Sequence, residues 1–341
     1  MVTPALLDVP AAPLSLAEIR RPVEEELKAF RGYFRDAMRS DVRLLDLVTQ
    51  YVLRQKGKQI RPILVLLTAK MCGEVSETSY VSETSYRAAA LVELLHTATL
   101  VHDDVVDESE RRRGVFSINA LWKNKVAVLF GDFLLSRGLL LALDHREHAL
   151  LHVVSDAVRR MSEGELLQIE KARRQDIDEA TYFRIISDKT ASLIEACLVC
   201  GAVSVGAGEE TQEAVRAIGA DLGLAFQIRD DLFDYGAADV GKPLGIDLQE
   251  KKMTLPLIVA LDRAEAGEAR RIRKLVKQKT KSAADVRAVF DFVRRHGGLD
   301  EARARMEALA GDATRRLRAF PPSEARDALI GLAAYIVARK K

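Results

Sequence analysis

Residues 87–107 of this 341-residue chain read RAAALVELLHTATLVHDDVVD, an apolar segment that ends in three aspartates. Apolar residues recur at three- and four-residue spacing and fill most of the positions between, which predicts a buried helix. Asp103 and Asp107 project from one face of this helix, with Asp104 beside them. Three carboxylates this close repel one another unless a cation neutralises them, and oxygen ligands suit a hard cation such as Mg²⁺. A single acidic helix end is explained equally well as solvated surface.

A second segment repeats this pattern. Residues 219–234 read GADLGLAFQIRDDLFD and end in Asp230, Asp231 and Asp234 at the same spacing. Two buried helices with the same acidic end are hard to explain as surface decoration. If the two ends face each other across a cavity, six carboxylates could hold several Mg²⁺ ions around one diphosphate.

Basic residues lie before, between and after the two acidic segments. Arg forks and Lys point charges are the groups that bind diphosphate oxygens. Together with the apolar helices, they predict a ligand that carries a diphosphate and an apolar tail. These basic positions are Lys58, Arg61, Arg111, Arg112, Arg113, Lys189, Lys242, Lys251 and Lys252.

The composition favours one large helical domain. Apolar residues make up 48% and charged residues 30%, so a sizeable core can form and disorder is excluded. Only 6% is aromatic and strand patterns are absent, which favours helix over sheet. We expect a loose arm over residues 1–14 and a single all-α domain of roughly ten to fourteen helices over 15–341, the first opened by a capping box at Ser15 and Glu18.

Charge and cysteine content narrow the function classes. Three cysteines cannot form a disulfide framework, and there is no leader pattern and no uninterrupted apolar run of membrane-spanning length, so we expect a cytoplasmic location. Residues 263–341 hold 20 Lys/Arg against 10 Asp/Glu. No aromatic residues are interleaved with them, so we expect no nucleic-acid partner and at most peripheral membrane contact.

Three further features are predicted to be structural. Cys197 and Cys200 have no second pair and no nearby histidine, so they are expected to be buried small side chains. The three histidines at 145, 148 and 152 stand among charged residues and are expected at the surface. A tandem hexamer, VSETSY over residues 75–80 and again over 81–86, is expected to lengthen a loop or a helix start.

The acidic and basic motifs occur together in an order that resembles the trans-isoprenyl (polyprenyl) diphosphate synthases of the long-chain type. The resemblance rests on four motifs: GKQIRP at residues 57–62, DDxxD at 103–107 followed by RRG at 112–114, FQxxDDxxD at 226–234, and GKPxGxD at 241–247. It implies an all-α isoprenoid-synthase bundle around a central apolar cavity, a homodimer, and ionisation–condensation–elimination chemistry. One departure is that Val115 to Ser117 replace the proline that usually follows the RRG, which affects loop shape more than charge.

The resemblance also implies a role for each motif residue. Asp103, Asp107 and Asp230 would bind Mg²⁺ (three ions per site, with Mn²⁺ as an alternative), and Asp104, Asp231 and Asp234 would complete the two acidic clusters. Isopentenyl diphosphate would be held by Lys58, Arg61, His96 and Arg113. The allylic diphosphate would be held by Arg112, Lys189, Thr190, Gln227 and Lys242, with Lys252 completing a closed lid.

The length of the prenyl product depends on residues near the first aspartate cluster. Short-chain members of the family place Phe or Tyr four or five residues before the first Asp. Those positions are Thr99 and Ala98, about one turn down the helix, and both are small, so the resemblance implies an all-trans product of roughly 30 to 50 carbons.

The alternative functions are those of a class I terpene cyclase and of a non-catalytic regulatory subunit of a heteromeric prenyl synthase. Two intact acidic clusters argue against both, and the predicted isopentenyl site argues against a cyclase.

Overall fold

The computed structural model describes residues 14–55, 57–73, 81–112, 114–174, 176–236, 245–278 and 280–339. Within these residues the chain forms sixteen α-helices, a 3₁₀ turn and one π-helical turn. The all-α class is therefore confirmed. The helix count exceeds the predicted ten to fourteen because short elements such as α1 and α11, of five and four residues, show no periodicity of their own. The division at residue 15 into arm and domain stays a prediction.

The elements follow one another along the chain with short connections. In order they are α1 (Leu16–Arg20), the 3₁₀ turn (Arg21–Val23), α2 (Glu24–Ala37), α3 (Arg43–Arg54), α4 (Ile60–Gly73), α5 (Glu83–Val106), β1 (Arg111–Arg112), β2 (Val115–Phe116), α6 (Ile118–Asp144), α7 (His148–Arg174), α8 (Glu179–Ile186), the π-turn (Ser187–Ala191), α9 (Ser192–Ser204), α10 (Glu209–Asp234), α11 (Ile246–Gln249), α12 (Leu255–Arg263), α13 (Ala266–Lys277), α14 (Ala283–Arg295), α15 (Gly298–Leu317) and α16 (Glu324–Ala338).

One short hairpin corrects the prediction that strands are absent. In β1 and β2, Arg111 pairs with Phe116 and Arg112 with Val115 in antiparallel register. Gly114 turns the chain at φ +81°, in the left-handed region that favours glycine. Two-residue strands are too short to show an alternating sequence pattern, and this is why the hairpin was missed.

The helix starts follow local sequence signals. The hydroxyl of Ser15 accepts from the backbone N–H of Glu18, and the Glu18 carboxylate accepts from the Ser15 backbone N–H at 2.8 Å, so the predicted capping box is confirmed. Ser82 caps α5 in the same way, which places a helix start within the second copy of the tandem hexamer. The first copy, residues 75–80, lies outside the described residues.

The centre of the bundle is built from α4, α5, α9 and α10. Helices α4 and α9 are buried on nearly all sides. They cross closely at Gly201, where an added Cβ would lie only 2.5 Å from the Val65 carbonyl oxygen. Cys197 and Cys200 lie in this core as predicted, and burial raises the pKa of Cys197 to about 12. The three histidines at 145, 148 and 152 are exposed, as predicted. A second apolar cluster joins α5 and α6 to the end of α2 and to α3.

Candidate active site

The three aspartates at the end of α5 have different surroundings. Asp104 is buried, and its Oδ1 accepts from Arg112 Nε at 2.8 Å. Its backbone carbonyl accepts from Asn119 Nδ2 at 3.1 Å. Asp103 and Asp107 lie on the outer side of the helix end. Asp104 therefore fixes the hairpin to α5, and the other two carboxylates remain free to bind ligand.

Negative charge accumulates around Asp103. Desolvation and the nearby carboxylates of Glu165 and Asp107 raise its pKa, while the Lys189 ammonium acts in the opposite direction. Lys189 lies in the π-turn and forms an ion pair with Glu165 of α7. Asp103 thus has two further carboxylates nearby, one of them paired with Lys189, an arrangement that favours binding of a further cation.

A chain of hydrogen bonds leads from the π-turn to the second acidic cluster. Thr190 Oγ1 donates to Gln227 Oε1 at 2.8 Å, and Gln227 Nε2 donates to Asp231 Oδ1 at 2.8 Å. The Tyr182 hydroxyl donates to Asp231 Oδ2 at 2.6 Å. Burial raises the pKa of Asp231 to about 7, although both hydrogen bonds lower it. The π-turn therefore acts on Asp103 through the charge of Lys189 and is linked to Asp231 through Gln227.

Asp234 connects the end of α10 to α11. Its Oδ1 accepts from the backbone N–H of Ile246 at 2.8 Å, which anchors the first turn of α11. Burial and the charge of Asp247 raise the pKa of Asp234 to about 6. Of the three aspartates in this cluster, Asp231 and Asp234 are thus held by neighbouring groups of the protein.

Asp230 points instead towards the C-terminal end of the described chain. Its Oδ1 forms an ion pair with Arg339, which also donates to the Phe226 carbonyl at 3.2 Å and stacks 4.0 Å from the centre of the Phe226 ring. Arg339 was not predicted as a site residue, because it falls within the basic segment of residues 263–341. Its position just after the apolar helix α16 was the available signal.

A cavity of about 630 Å³ opens beside Asp230. Its polar lining brings together the predicted isopentenyl diphosphate residues that the structure describes, Lys58, Arg61 and His96, with Arg112, Thr190, Asp230 and Arg339. Its apolar walls come from α4, α5, α9, α10 and α16 and comprise Leu64, Leu100, Ile194, Leu222, Phe226, Leu332, Tyr335 and Ile336.

A smaller cavity of about 90 Å³ lies on the other side of Thr190. Its lining includes four more of the predicted residues, Lys189, Gln227, Asp231 and Lys252. Lys252 Nζ lies 2.5 Å from Glu250 and 3.5 Å from Asp247. The predicted allylic residues Lys189, Gln227 and Lys252 therefore line the smaller pocket, and Thr190 is shared by both pockets. Arg112, also predicted for the allylic diphosphate, lines the larger cavity with the isopentenyl residues.

Some predicted residues lie elsewhere or are not described. Arg113 and Lys242 are outside the described residues. Ala98 lines neither cavity and is fully buried in the second apolar cluster with Phe130. Thr99 also lines neither cavity, but it is partly exposed, and its hydroxyl donates to the His96 carbonyl at 2.8 Å.

The carboxylates fit a metal that binds together with a ligand. Among the described residues no group of three or more His, Cys, Asp or Glu side chains forms a ready metal cluster. Mg²⁺ typically takes one or two carboxylates and completes its shell with water and substrate phosphates. Asp103 and Asp107 are a donor pair of this kind. Burial and then the nearby carboxylates of Glu165 and Asp107 raise the pKa of Asp103, and a bound cation would favour its ionised form.

Comparisons with known proteins give a consistent result. A sequence model of the polyprenyl synthetase family matches residues 42–293. The chain is 36% identical to octaprenyl diphosphate synthase of Escherichia coli (strain K12), over 96% of this chain and 100% of the relative.

Two solved structures agree with the sequence comparison. The decaprenyl diphosphate synthase from Rhodobacter capsulatus has a TM-score of 0.89 at 34% identity, covering 96% of this chain and 100% of that one. A polyprenyl synthase from Caulobacter crescentus CB15, complexed with calcium and isoprenyl diphosphate, has a TM-score of 0.86 at 34% identity and covers 97% and 100% of the two chains. This protein therefore belongs to the polyprenyl synthetase family and shares its all-α fold.

Proposed function

We propose that this protein condenses isopentenyl diphosphate with an allylic prenyl diphosphate and releases diphosphate. The all-trans product is proposed to have roughly 30 to 50 carbons, the range expected when no aromatic ring lies one turn (about 5.4 Å) below Asp103. Its family makes it a chain-elongating prenyltransferase. One observation carries the proposal: two adjacent pockets, each lined by both cationic side chains and aspartate, share Thr190. A condensation of two diphosphates needs two such pockets, whereas a cyclase needs one.

The smaller pocket and the end of α5 are proposed to hold the allylic diphosphate. Asp103, Asp107 and Asp230 would hold divalent metal, with Lys189 and Gln227 contacting the diphosphate. When bound, Mg²⁺ supplies Lewis-acid stabilisation of the negative charge that develops on the leaving diphosphate. Calcium and isoprenyl diphosphate in the Caulobacter structure support a divalent metal for the family.

The larger cavity is proposed to hold isopentenyl diphosphate. Lys58, Arg61 and His96, with Arg339 as an addition, offer cationic and hydrogen-bonding groups at its polar end. Its apolar walls suit the short hydrocarbon part. In this arrangement Arg339 must leave Asp230 when metal binds there, and it becomes available to the second diphosphate.

The chain's own residues then control the reaction. Lys189 and Thr190 hold the allylic diphosphate while its C–O bond breaks, and the electron pair leaves with the diphosphate. The double bond of isopentenyl diphosphate attacks the allylic carbon, and loss of a proton restores a double bond. We propose that the released diphosphate accepts this proton, so no protein base is required. The apolar walls of the large cavity exclude water from the cation.

The metal assignment predicts the effect of neutralising one carboxylate. Asp103→Asn should reduce turnover by about 3 kcal/mol or more, at least a hundredfold, because the charge is lost where negative charge develops. Folding should be retained, since one of several repelling carboxylates is removed. Diphosphate release from isopentenyl plus farnesyl diphosphate, titrated with Mg²⁺, measures this.

Asp291→Asn provides the matched control. This aspartate is exposed on α14 and pairs only with Arg294 in the described structure, so turnover should not change. Near-normal turnover by Asp103→Asn at saturating Mg²⁺ would show that the metal assignment is wrong.

The two chain-length positions differ in how they face the substrate. Counted at about 100° per residue, Thr99 lies some 40° from Asp103 around α5, whereas Ala98 lies some 140° away. The burial of Ala98 against Phe130 and Leu134 agrees with this. We therefore propose that Thr99, rather than Ala98, sets the floor of the tail channel.

A tyrosine at position 99 should shorten the product. The ring would stand below Asp103 and block the growing tail, so Thr99→Tyr should shift products towards 15 or 20 carbons, as resolved by chromatography and mass. Thr97→Tyr, roughly 160° from Thr99 around the same helix, is the control and should leave length unchanged. Ala98→Tyr should instead destabilise the fold by about 1–3 kcal/mol through overpacking. An unchanged product from Thr99→Tyr would place the floor elsewhere.

We also propose that the protein is a homodimer that covers one face of α6. This helix exposes a row of large apolar side chains that fall within an arc of roughly 120° at 100° per residue, namely Val128, Leu129, Leu139, Leu140 and Leu143. Within the described part of the chain, α6 is the one helix long and apolar enough to cross a membrane by composition. It packs along α5, however, and a second copy would bury its outer face.

Charge on this face should separate the subunits. Leu140→Glu would place an unpaired carboxylate in the proposed interface, so light scattering after gel filtration should give the mass of one chain instead of two. Ala308→Glu, on an exposed position of α15, should leave the mass unchanged. A wild-type protein that runs as a single chain would contradict the dimer. The cytoplasmic location stays a prediction.

A further inference from the structure

The π-helical turn between α8 and α9 presents Lys189 and Thr190 to the site. It spans Ser187–Ala191 and separates two regular helices. Such turns insert an extra residue into a helix and weaken its regular hydrogen bonding, so they persist where neighbouring groups hold them. The part of the structure around this turn shows three contacts that hold it, and two of them come from α7.

The first contact is a guanidinium that binds the start of the turn and the first part of α9 beyond it. Arg160 of α7 donates from Nε to Asp188 Oδ1 at 2.9 Å and from Nη2 to Ser187 Oγ at 3.1 Å. The same side chain donates to both oxygens of Glu195, at 2.7 Å from Nη1 and 3.4 Å from Nη2. Ser187 and Asp188 open the turn, and Glu195 lies one helical turn beyond its end.

Burial makes these contacts more than surface ion pairs. The side chains of Arg160, Asp188 and Glu195 are only 21%, 20% and 7% exposed. Charged groups removed from water in this way are strongly destabilising when their partner is lost. Only a planar guanidinium can satisfy both carboxylates at once, because a lysine has no fork.

The other two contacts are close backbone approaches at glycines. A Cβ on Gly164 of α7 would lie 2.8 Å from the backbone nitrogen of Lys189. On the opposite side, a Cβ on Gly223 of α10 would lie 2.5 Å from Cα of Ala191. The turn is therefore packed against two helices, with Arg160 connecting its start to Glu195 of α9.

We propose that Arg160 is a positioning residue for the allylic diphosphate site. It lines neither cavity, and it acts by holding the π-turn so that Lys189 and Thr190 point into the small pocket. The inference rests on the proposed function, because that function assigns these two residues to the allylic diphosphate. Three residues of α7 act on this segment. Arg160 holds the start of the π-turn, Gly164 lets its backbone approach α7, and Glu165 pairs with the Lys189 side chain.

The main test is Arg160→Lys, which keeps the charge and removes the fork. The Michaelis constant for farnesyl diphosphate should rise about tenfold, as expected when a bidentate charge-assisted contact that orients a ligand is lost. The Michaelis constant for isopentenyl diphosphate should stay within about twofold of wild type. The matched control is Arg159→Lys, an adjacent arginine whose exposed side chain pairs with Asp156 and Glu163, and both constants should be unchanged.

A second variant perturbs the turn without changing any charge. Gly164→Ala would push on the backbone of Lys189 and should give the same selective rise for farnesyl diphosphate. Gly311→Ala on α15, where a Cβ would meet nothing within 4 Å, is its control. If Arg160→Lys does not fold, Gly164→Ala decides the question alone.

A double-mutant comparison separates positioning from general damage. In a Lys189→Ala background, Arg160→Lys should add less than about twofold to the loss, because its effect passes through the residue already removed. Full additivity, or equal losses for both substrates accompanied by a lower melting temperature, would overturn the proposal.

Failure of this inference and failure of the proposed function give different results. Absence of wild-type turnover with farnesyl and isopentenyl diphosphates would overturn the proposed function. The positioning role is also read without turnover, from calorimetric binding of the unreactive farnesyl thiodiphosphate in the presence of Mg²⁺, which Arg160→Lys should weaken about tenfold. An active wild type, with Arg160→Lys and Gly164→Ala both folded and both binding like wild type, would overturn the inference.

Discussion

The crowding of carboxylates at the ends of α5 and α10 is the constraint on which the rest of the structure depends. Burial raises the pKa of Asp234 to about 6 and that of Asp231 to about 7, and the pKa of Asp103 is also raised. For a carboxyl whose folded pKa lies above its unfolded value, stability is lost as the pH rises through the folded value. The ionised clusters therefore destabilise the free protein near neutral pH, and bound cations offset that cost.

Some of these carboxylates are held by hydrogen bonds within the protein, and others are exposed to ligand. Asp104 accepts a hydrogen bond from Arg112, and Asp231 accepts hydrogen bonds from Tyr182 and Gln227. Asp234 accepts one from the backbone of α11. Asp103 and Asp107 remain exposed at the open end of α5, and Asp230 forms an ion pair with Arg339. Of the three residues that the resemblance assigns to metal, Asp103 and Asp107 are thus left exposed, and Asp230 is engaged by Arg339.

Much of this arrangement could be predicted because it depends on local spacing. The apolar periodicity before each aspartate cluster predicts a buried helix, and the four-residue spacing places Asp103 and Asp107 on one face. What depends on packing between distant segments could not be predicted. The contact of Arg339 with Asp230, for example, joins residues 109 positions apart. The same limit hid the π-turn, whose geometry is fixed by α7 and α10.

The claim that the two acidic helix ends act on one diphosphate is tested most directly by a crystal structure with Mg²⁺, isopentenyl diphosphate and farnesyl thiodiphosphate. The account predicts a thiodiphosphate group bridged by metal to Asp103 and Asp230, isopentenyl diphosphate against Lys58 and Arg61, and Arg339 moved away from Asp230. A thiodiphosphate bound without metal at Asp103, with Arg339 still paired to Asp230, would contradict it.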